Sequence, residues 1–189
     1  MSLILITGMP GVGKTTIMRN LGSELRNRSI PFDGFYTEEL RGTSGERCGF
    51  DIITFDGRKA PLARLSGTVK DAPAKNRVGR YTVCVPEFES LALPALGNRS
   101  ANLLLLDEIG KMELKSGPFE DCLKQIVGSV ERHEKLFFVA TIPLKATLNI
   151  VERLKKVRGV QLFHVTIANR NQLQHQIVEA TVRMLGKAI

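Results

Sequence analysis

Long hydrophobic runs are missing from this chain: none approaches the roughly 20 apolar residues that a membrane-crossing helix requires. The opening stretch Met1-Ser2-Leu3-Ile4-Leu5-Ile6-Thr7 is short and lacks a basic flank, so it does not read as a secretory signal. A cytoplasmic protein with no membrane partner is expected. Cysteine is scarce. Cys48, Cys84 and Cys122 are odd in number and widely spaced, with no CxxC pair and no Cys/His cluster, which argues against a zinc site or a disulfide framework. Three reduced thiols are expected. His133, His164 and His175 are scattered and attract no chemical role. Aromatic residues make up only 6% of the chain, and no recognised nucleic-acid module occurs.

What is present suits one α/β domain spanning residues 1–189, with 43% hydrophobic and 24% charged residues. The net charge is +8, and its location matters more than its size. Between Arg58 and Arg80 lie Arg58, Lys59, Arg64, Lys70, Lys75, Arg77 and Arg80 against the single acid Asp71, so +6 sits in one segment. Such a segment suits a small polyanion, a nucleic acid or plain solvation equally well.

Strands and helices alternate. A buried strand is predicted over 3–7 and a helix over 14–27. Two strand-like stretches, 34–38 and 49–55, flank the turn-rich Arg41-Gly42-Thr43-Ser44-Gly45, which suggests a hairpin. The basic segment 58–80 has two prolines and little apolar periodicity, and is expected to be mostly loop with some short strand. A strand over 81–85 leads through Pro86 into a helix over 87–96. The rhythm then becomes regular, with strands at 103–106, 136–140 and 160–165 and helices at 119–131 and 144–157. A last helix is expected to start at Asn169, with Gln172 as its capping partner. Continuous apolar strands between amphipathic helices predict a doubly wound, mostly parallel sheet covered on both faces, plus an antiparallel hairpin.

Chemistry starts at Gly8-Met9-Pro10-Gly11-Val12-Gly13-Lys14-Thr15, which matches G-x-x-x-x-G-K-[ST] directly after a buried strand and at the opening of a helix. Its glycines let backbone N–H groups fold around phosphate oxygens. Lys14 brings positive charge to the β and γ phosphates, the Thr15 hydroxyl is expected to ligate Mg²⁺ with Thr16 beside it, and the helix adds its positive dipole end. Leu104-Leu105-Leu106-Asp107-Glu108 is an apolar strand ending in two carboxylates, as in a Walker B. Asp107 is placed to hold Mg²⁺ opposite Thr15, and Glu108 to orient or deprotonate a water against the γ phosphate. Tandem carboxylates favour hydrolysis, since a kinase shields the phosphate from water.

Asp107-Glu108-Ile109-Gly110-Lys111-Met112-Glu113, with Asp33-Gly34-Phe35-Tyr36-Thr37-Glu38-Glu39, Gly49-Phe50-Asp51 and Asn169-Arg170-Asn171, resembles the cancer-related nucleoside-triphosphatase family over nearly the whole chain. The resemblance implies Mg²⁺-dependent hydrolysis of nucleoside triphosphates to diphosphates with little base preference. It also implies a core similar to adenylate kinase and the RecA-like ATPases.

Several further residues are candidates. The stretch Leu104–Ile109, with Gly110 and Lys111, is assigned to the nucleotide site. Lys111 either reaches the phosphates or pairs with Glu113. Thr141 either senses the γ phosphate or merely ends a strand. Glu38 and Glu39 either support the metal or face solvent, and Arg170 either stacks on the base or extends into water. Two alternatives to hydrolysis stand: a kinase acting on a nucleoside, nucleotide or other small acceptor, and a nucleotide-dependent nucleic-acid binder, ranked last. A monomer is expected. Finally, segment 58–80 is proposed as a mobile lid, with Arg77 and Arg80 reaching the triphosphate as a finger supplied in cis.

Overall fold

The computed structural model describes residues 2–69, 73–97, 100–145 and 147–186. Among them run strands β1 (Leu3–Gly8), β2 (Asp33–Arg41), β3 (Arg47–Thr54), β4 (Lys59–Leu65), β5 (Arg77–Val78), β6 (Tyr81–Val83), β7 (Leu103–Leu106), β8 (Phe137–Pro143) and β9 (Gln161–Val165). The helices are α1 (Lys14–Asn27), α2 (Val85–Gly97), α3 (Gly117–Glu131), α4 (Asn149–Lys155) and α5 (Arg170–Gly186). All nine strands join one sheet in the order β5-β6-β4-β3-β2-β7-β8-β1-β9. From β2 to β9 every pairing is parallel, and from β2 to β5 every pairing is antiparallel.

The parallel half follows from strands that are apolar on both faces. In β1, Leu3 and Leu5 point into one core and Ile4 and Ile6 into the other. The first core is closed by α2, α3 and α4 through residues such as Phe88, Phe119 and Val151. The second is closed by α1 and α5 through Met18, Leu21, Ile177 and Met184. Period-two strands thus meet period-3.6 helices on each side, the doubly wound arrangement expected.

The basic segment departs most from expectation. Residues Lys59–Leu65 are not loop but β4, an inner strand paired to β3 on one side and to β6 on the other. Pro61 is tolerated because β6 pairs only with Ala63–Leu65, and a bulge between Phe50 and Asp51 lies opposite. The cations here have structural partners. Arg64 bonds Asp51 at 2.6 Å, Lys59 reaches Asp51 at 3.1 Å and Glu38 at 2.8 Å, and Arg58 meets Asp56 at 3.0 Å. A lid over the whole of 58–80 is therefore ruled out. The remainder ends in a short 3₁₀ turn (Ala74–Asn76) and the two-residue β5, while Lys70 and Asp71 lie outside the described residues.

Smaller differences have local causes. The helix expected over 144–157 shortens to α4, because Leu148 has an extended backbone and the buried stripe begins at Ile150; Ala146 lies outside the described residues. The strand expected over 81–85 stops at Val83, and α2 already includes Val85. Asn169 does not cap Gln172. Its side chain turns back, accepting from the Thr166 N–H at 2.8 Å and donating to the His164 carbonyl at 3.0 Å.

Candidate functional site

The carboxyl ends of β1, β7, β8 and β2 meet at one edge of the sheet, the usual ligand position in open α/β folds. Register fixes what converges there. Leu106 stands opposite Ala140, and Ile6 opposite Thr141, so Asp107 and Thr141 emerge side by side just before the loop that follows Gly8. That loop enters α1 through Gly13, whose φ of 106° is left-handed and open to glycine at little strain. Met9, Pro10 and Gly11 are exposed, whereas Val12 is buried in the α1/α5 core and anchors the loop. The Lys14 ammonium lies across the loop, donating to the Gly8 carbonyl at 3.0 Å and the Met9 carbonyl at 3.3 Å. Thr15 and Thr16 lie in the first turn of the helix.

Asp107 is the hub, only 1% exposed. Its Oδ2 accepts from the Thr15 hydroxyl at 2.7 Å, from the Thr37 hydroxyl at 2.9 Å and from the Thr37 N–H at 3.3 Å. Its Oδ1 accepts from the Thr141 hydroxyl at 2.7 Å. Four donors satisfy a carboxylate that burial alone would penalise heavily. Thr141 also accepts the Glu108 N–H at 2.7 Å, and its carbonyl accepts from the Ile109 N–H at 3.0 Å. The turn after β7 is thereby pinned, with Glu108 held at φ 66°, a left-handed conformation uncommon for this residue.

Burial, and then the neighbouring Asp107 charge, push the Glu108 carboxyl above the usual glutamate range; Lys14 and Arg47 oppose this. Glu113 is raised further, first by burial and then by the Glu108 charge. Its Oε2 turns inward to accept the Gly110 N–H at 3.0 Å. Lys111 is exposed, and among the described residues no ion pair joins it to Glu113, whose carboxylate turns to Gly110. The pairing alternative for Lys111 therefore falls.

Leu104, Leu105, Leu106 and Ile109 do not touch the site. All four are fully buried in the two cores, and their role is to aim Asp107 and Glu108 outward. Arg170 lies against the loop, its Cδ 3.8 Å from where a Cβ on Gly13 would stand. Arg80 is engaged elsewhere: its guanidinium donates to the Tyr81 hydroxyl and the Arg47 carbonyl, each at 3.1 Å. Arg77 is exposed on β5. The Lys115 ammonium donates to the Lys75 carbonyl at 2.8 Å, which ties the segment bearing Arg77 to the turn after Glu108. Glu38 and Glu39 are held in ion pairs with Lys59 and with Arg41 and Arg47. Phe35 is core, and Tyr36 packs at a tilt against Phe55 beneath Arg19. Thr37 escaped the sequence reading of the site. Its signal was its place in the Asp33–Glu39 stretch that carries the family resemblance, with no role attached to it.

Comparison with known proteins bears on family and fold. A family model described as NTPase matches residues 3–178. The chain is 41% identical over 177 residues to Nucleoside-triphosphatase THEP1 of Thermotoga petrophila, covering 93% of this chain and 90% of that one. It is 39% identical over 183 residues to the Cancer-related nucleoside-triphosphatase homolog of Mus musculus, covering 93% and 94%. The crystal structure of THEP1 from the hyperthermophile Aquifex aeolicus superposes with a TM-score of 0.78 at 36% identity, covering 94% of this chain and 98% of that one. In sequence and in fold alike, the chain belongs to the NTPase family.

Proposed function

We propose that the chain is a Mg²⁺-dependent nucleoside-triphosphate phosphohydrolase that converts NTP and water to NDP and phosphate, accepting ATP, GTP, CTP and UTP. The observation that carries this reading is the 2.7 Å contact between the Thr15 hydroxyl and Asp107 Oδ2, which brings the two motifs to one point with Glu108 on the adjoining turn. Lys14 and the N–H groups of the loop bind the phosphates and stabilise charge developing on the γ group. Glu108, half-buried and free of any hydrogen-bonded neighbour at its carboxylate among the described residues, orients the water. The donor set fits Mg²⁺: it is all oxygen, one hydroxyl and one carboxylate, hard ligands that leave positions for water and phosphate. When bound through Thr15 and Asp107, Mg²⁺ would neutralise phosphate charge.

Breadth toward bases fits Arg170, whose guanidinium plane offers a stacking face to any base. Of Arg77 and Arg80, Arg77 is the one with a free guanidinium among the described residues, and Arg77→Ala should lower turnover by on the order of 10³-fold with little loss of nucleotide binding. A cytoplasmic, monomeric protein is part of this reading; the unbridged cysteines Cys48 and Cys84 suit a reducing compartment.

Phosphate release from Mg-ATP and Mg-GTP, run with and without a panel of nucleoside and nucleotide acceptors, tests the proposal. Release must vanish in Lys14→Ala and fall steeply in Glu108→Gln. A phosphorylated acceptor in place of free phosphate would make the protein a kinase instead.

A further inference from the structure

We propose that Thr37 is a positioning residue that holds Asp107 in its metal-binding orientation, an inference that rests on the Mg²⁺ reading above. Strand β2 runs past the end of its parallel partner β7: the register stops at Phe35 opposite Leu106, and the Asp107 N–H donates to the Phe35 carbonyl at 3.0 Å. On its other side β2 stays paired to β3, with Thr37 opposite Ile52. The Thr37 N–H on the open side therefore has no strand to bond. It donates to Asp107 Oδ2 at 3.3 Å, and the Thr37 hydroxyl donates to the same oxygen at 2.9 Å. The sheet ladder is in effect continued by a side chain.

The consequence concerns one oxygen. Oδ2 receives donors from Thr15 and from Thr37. A cation held through a lone pair of the Thr15 oxygen would leave that hydroxyl hydrogen on Oδ2, so Thr15 and Thr37 would hold the carboxylate from two separate elements. Oδ1 is occupied by Thr141. Thr37 supplies two of the three donors on Oδ2 and is thus the main group that fixes the orientation in which Asp107 would meet a cation or its waters. Partners of this kind, one bond removed from the metal, typically govern affinity by 10–100-fold. Thr37 is 8% exposed and lies on a different element from the phosphate-binding loop, so its effect on the metal is separable from nucleotide binding.

The test measures binding of a fluorescent ADP analogue in EDTA and across a Mg²⁺ titration, for the wild type, Thr37→Val and Thr37→Ser. Valine matches threonine in shape and lacks the donor, whereas serine keeps it. Thr37→Val should bind the analogue in EDTA as the wild type does but need about tenfold more Mg²⁺ for the metal-dependent gain, and Thr37→Ser should restore the wild-type midpoint. Mn²⁺ bound to the protein–nucleotide complex, followed by electron paramagnetic resonance, should weaken in parallel. An unchanged Mg²⁺ midpoint in Thr37→Val, or a Thr37→Ser as impaired as Thr37→Val, overturns the inference alone. Equal losses in EDTA and in Mg²⁺ also overturn it, assigning Thr37 to general packing. A wild type with no Mg²⁺-dependent gain would remove the metal reading itself and this inference with it.

Discussion

Replacing Arg64 by methionine separates the structural from the catalytic role of the basic segment. The Arg64 guanidinium donates to three acceptors: Asp51 Oδ1 at 2.6 Å, the Phe50 carbonyl at 2.8 Å and the Ala63 carbonyl at 2.9 Å. Its partner Asp51 is only 4% exposed, so without Arg64 a buried carboxylate keeps a single cation, Lys59 at 3.1 Å. Breaking a buried pair by removing one partner costs about 3–5 kcal/mol. The remaining lysine places Arg64→Met at the low end, about 3 kcal/mol. For a chain of 189 residues each kcal/mol moves Tm by about 2–4 °C, so a fall of about 6–12 °C is expected by calorimetry. Methionine retains most of the aliphatic stem, so lost packing contributes little. Adding Asp51→Asn removes the stranded charge and should recover about 1–2 kcal/mol, a coupling that a double-mutant cycle measures directly. Phosphate release per folded molecule should stay near wild type at 25 °C. If Tm holds while turnover collapses, Arg64 serves the triphosphate and the structural assignment of β4 charge is wrong.

Gly34→Ala should destabilise by more than about 3 kcal/mol, because the new Cβ would stand 1.9 Å from the Leu105 carbonyl oxygen at a φ of 124°; a soluble variant with unchanged urea midpoint would refute the tight β2–β7 approach. Glu113→Gln should equal or exceed the wild type in stability at pH 8, since the amide oxygen still accepts the Gly110 N–H and no buried charge remains. The Glu113 carboxyl is raised in the fold, so its contribution is full below the unfolded pKa of 4.5 and is lost as pH rises through the higher folded value. The advantage of Glu113→Gln should therefore grow with pH across that window, by up to about 1.4 kcal/mol per pH unit, in denaturant melts at several pH values. Glu113→Ala strands the Gly110 N–H and should cost about 1–3 kcal/mol.

The phosphate loop and the carboxylate pair were legible in the sequence because each fixes residue types at fixed spacing along a single strand and turn. The helix-period and strand-period stretches of the parallel half were equally plain. Strand β4 was not, since Lys59-Ala60-Pro61-Leu62-Ala63-Arg64-Leu65 shows proline and charge where a strand should show apolar alternation. What makes it a strand is remote: Asp51 on β3 neutralises Arg64 and Lys59, and β6 leaves the proline unpaired. Thr37 was hidden for the same reason. Thr37 lies in a stretch that carries the family resemblance, but its contact with Asp107 exists only once β2 is placed beside β7. Leu104, Leu105 and Leu106 show the converse: they adjoin Asp107 in sequence, yet all three are fully buried in the two cores.

The hub at Asp107 draws Thr15 from the start of α1, Thr37 from β2 and Thr141 from β8, positions spread over most of the chain, and β1 pairs with β8 through Leu3 and Phe138. The antiparallel strands β2, β3 and β4, by contrast, close over short loops. Loop-closure entropy makes the near pairings early and the distant ones late, so in a refolding experiment hairpin structure should precede the long-range parallel pairing. The hub exists only once the last of those distant strands has docked. A half-folded chain therefore has strands but no fourfold-bonded aspartate, and recovery of triphosphate hydrolysis becomes a kinetic reporter of the final step of folding, with no functional intermediate ahead of it.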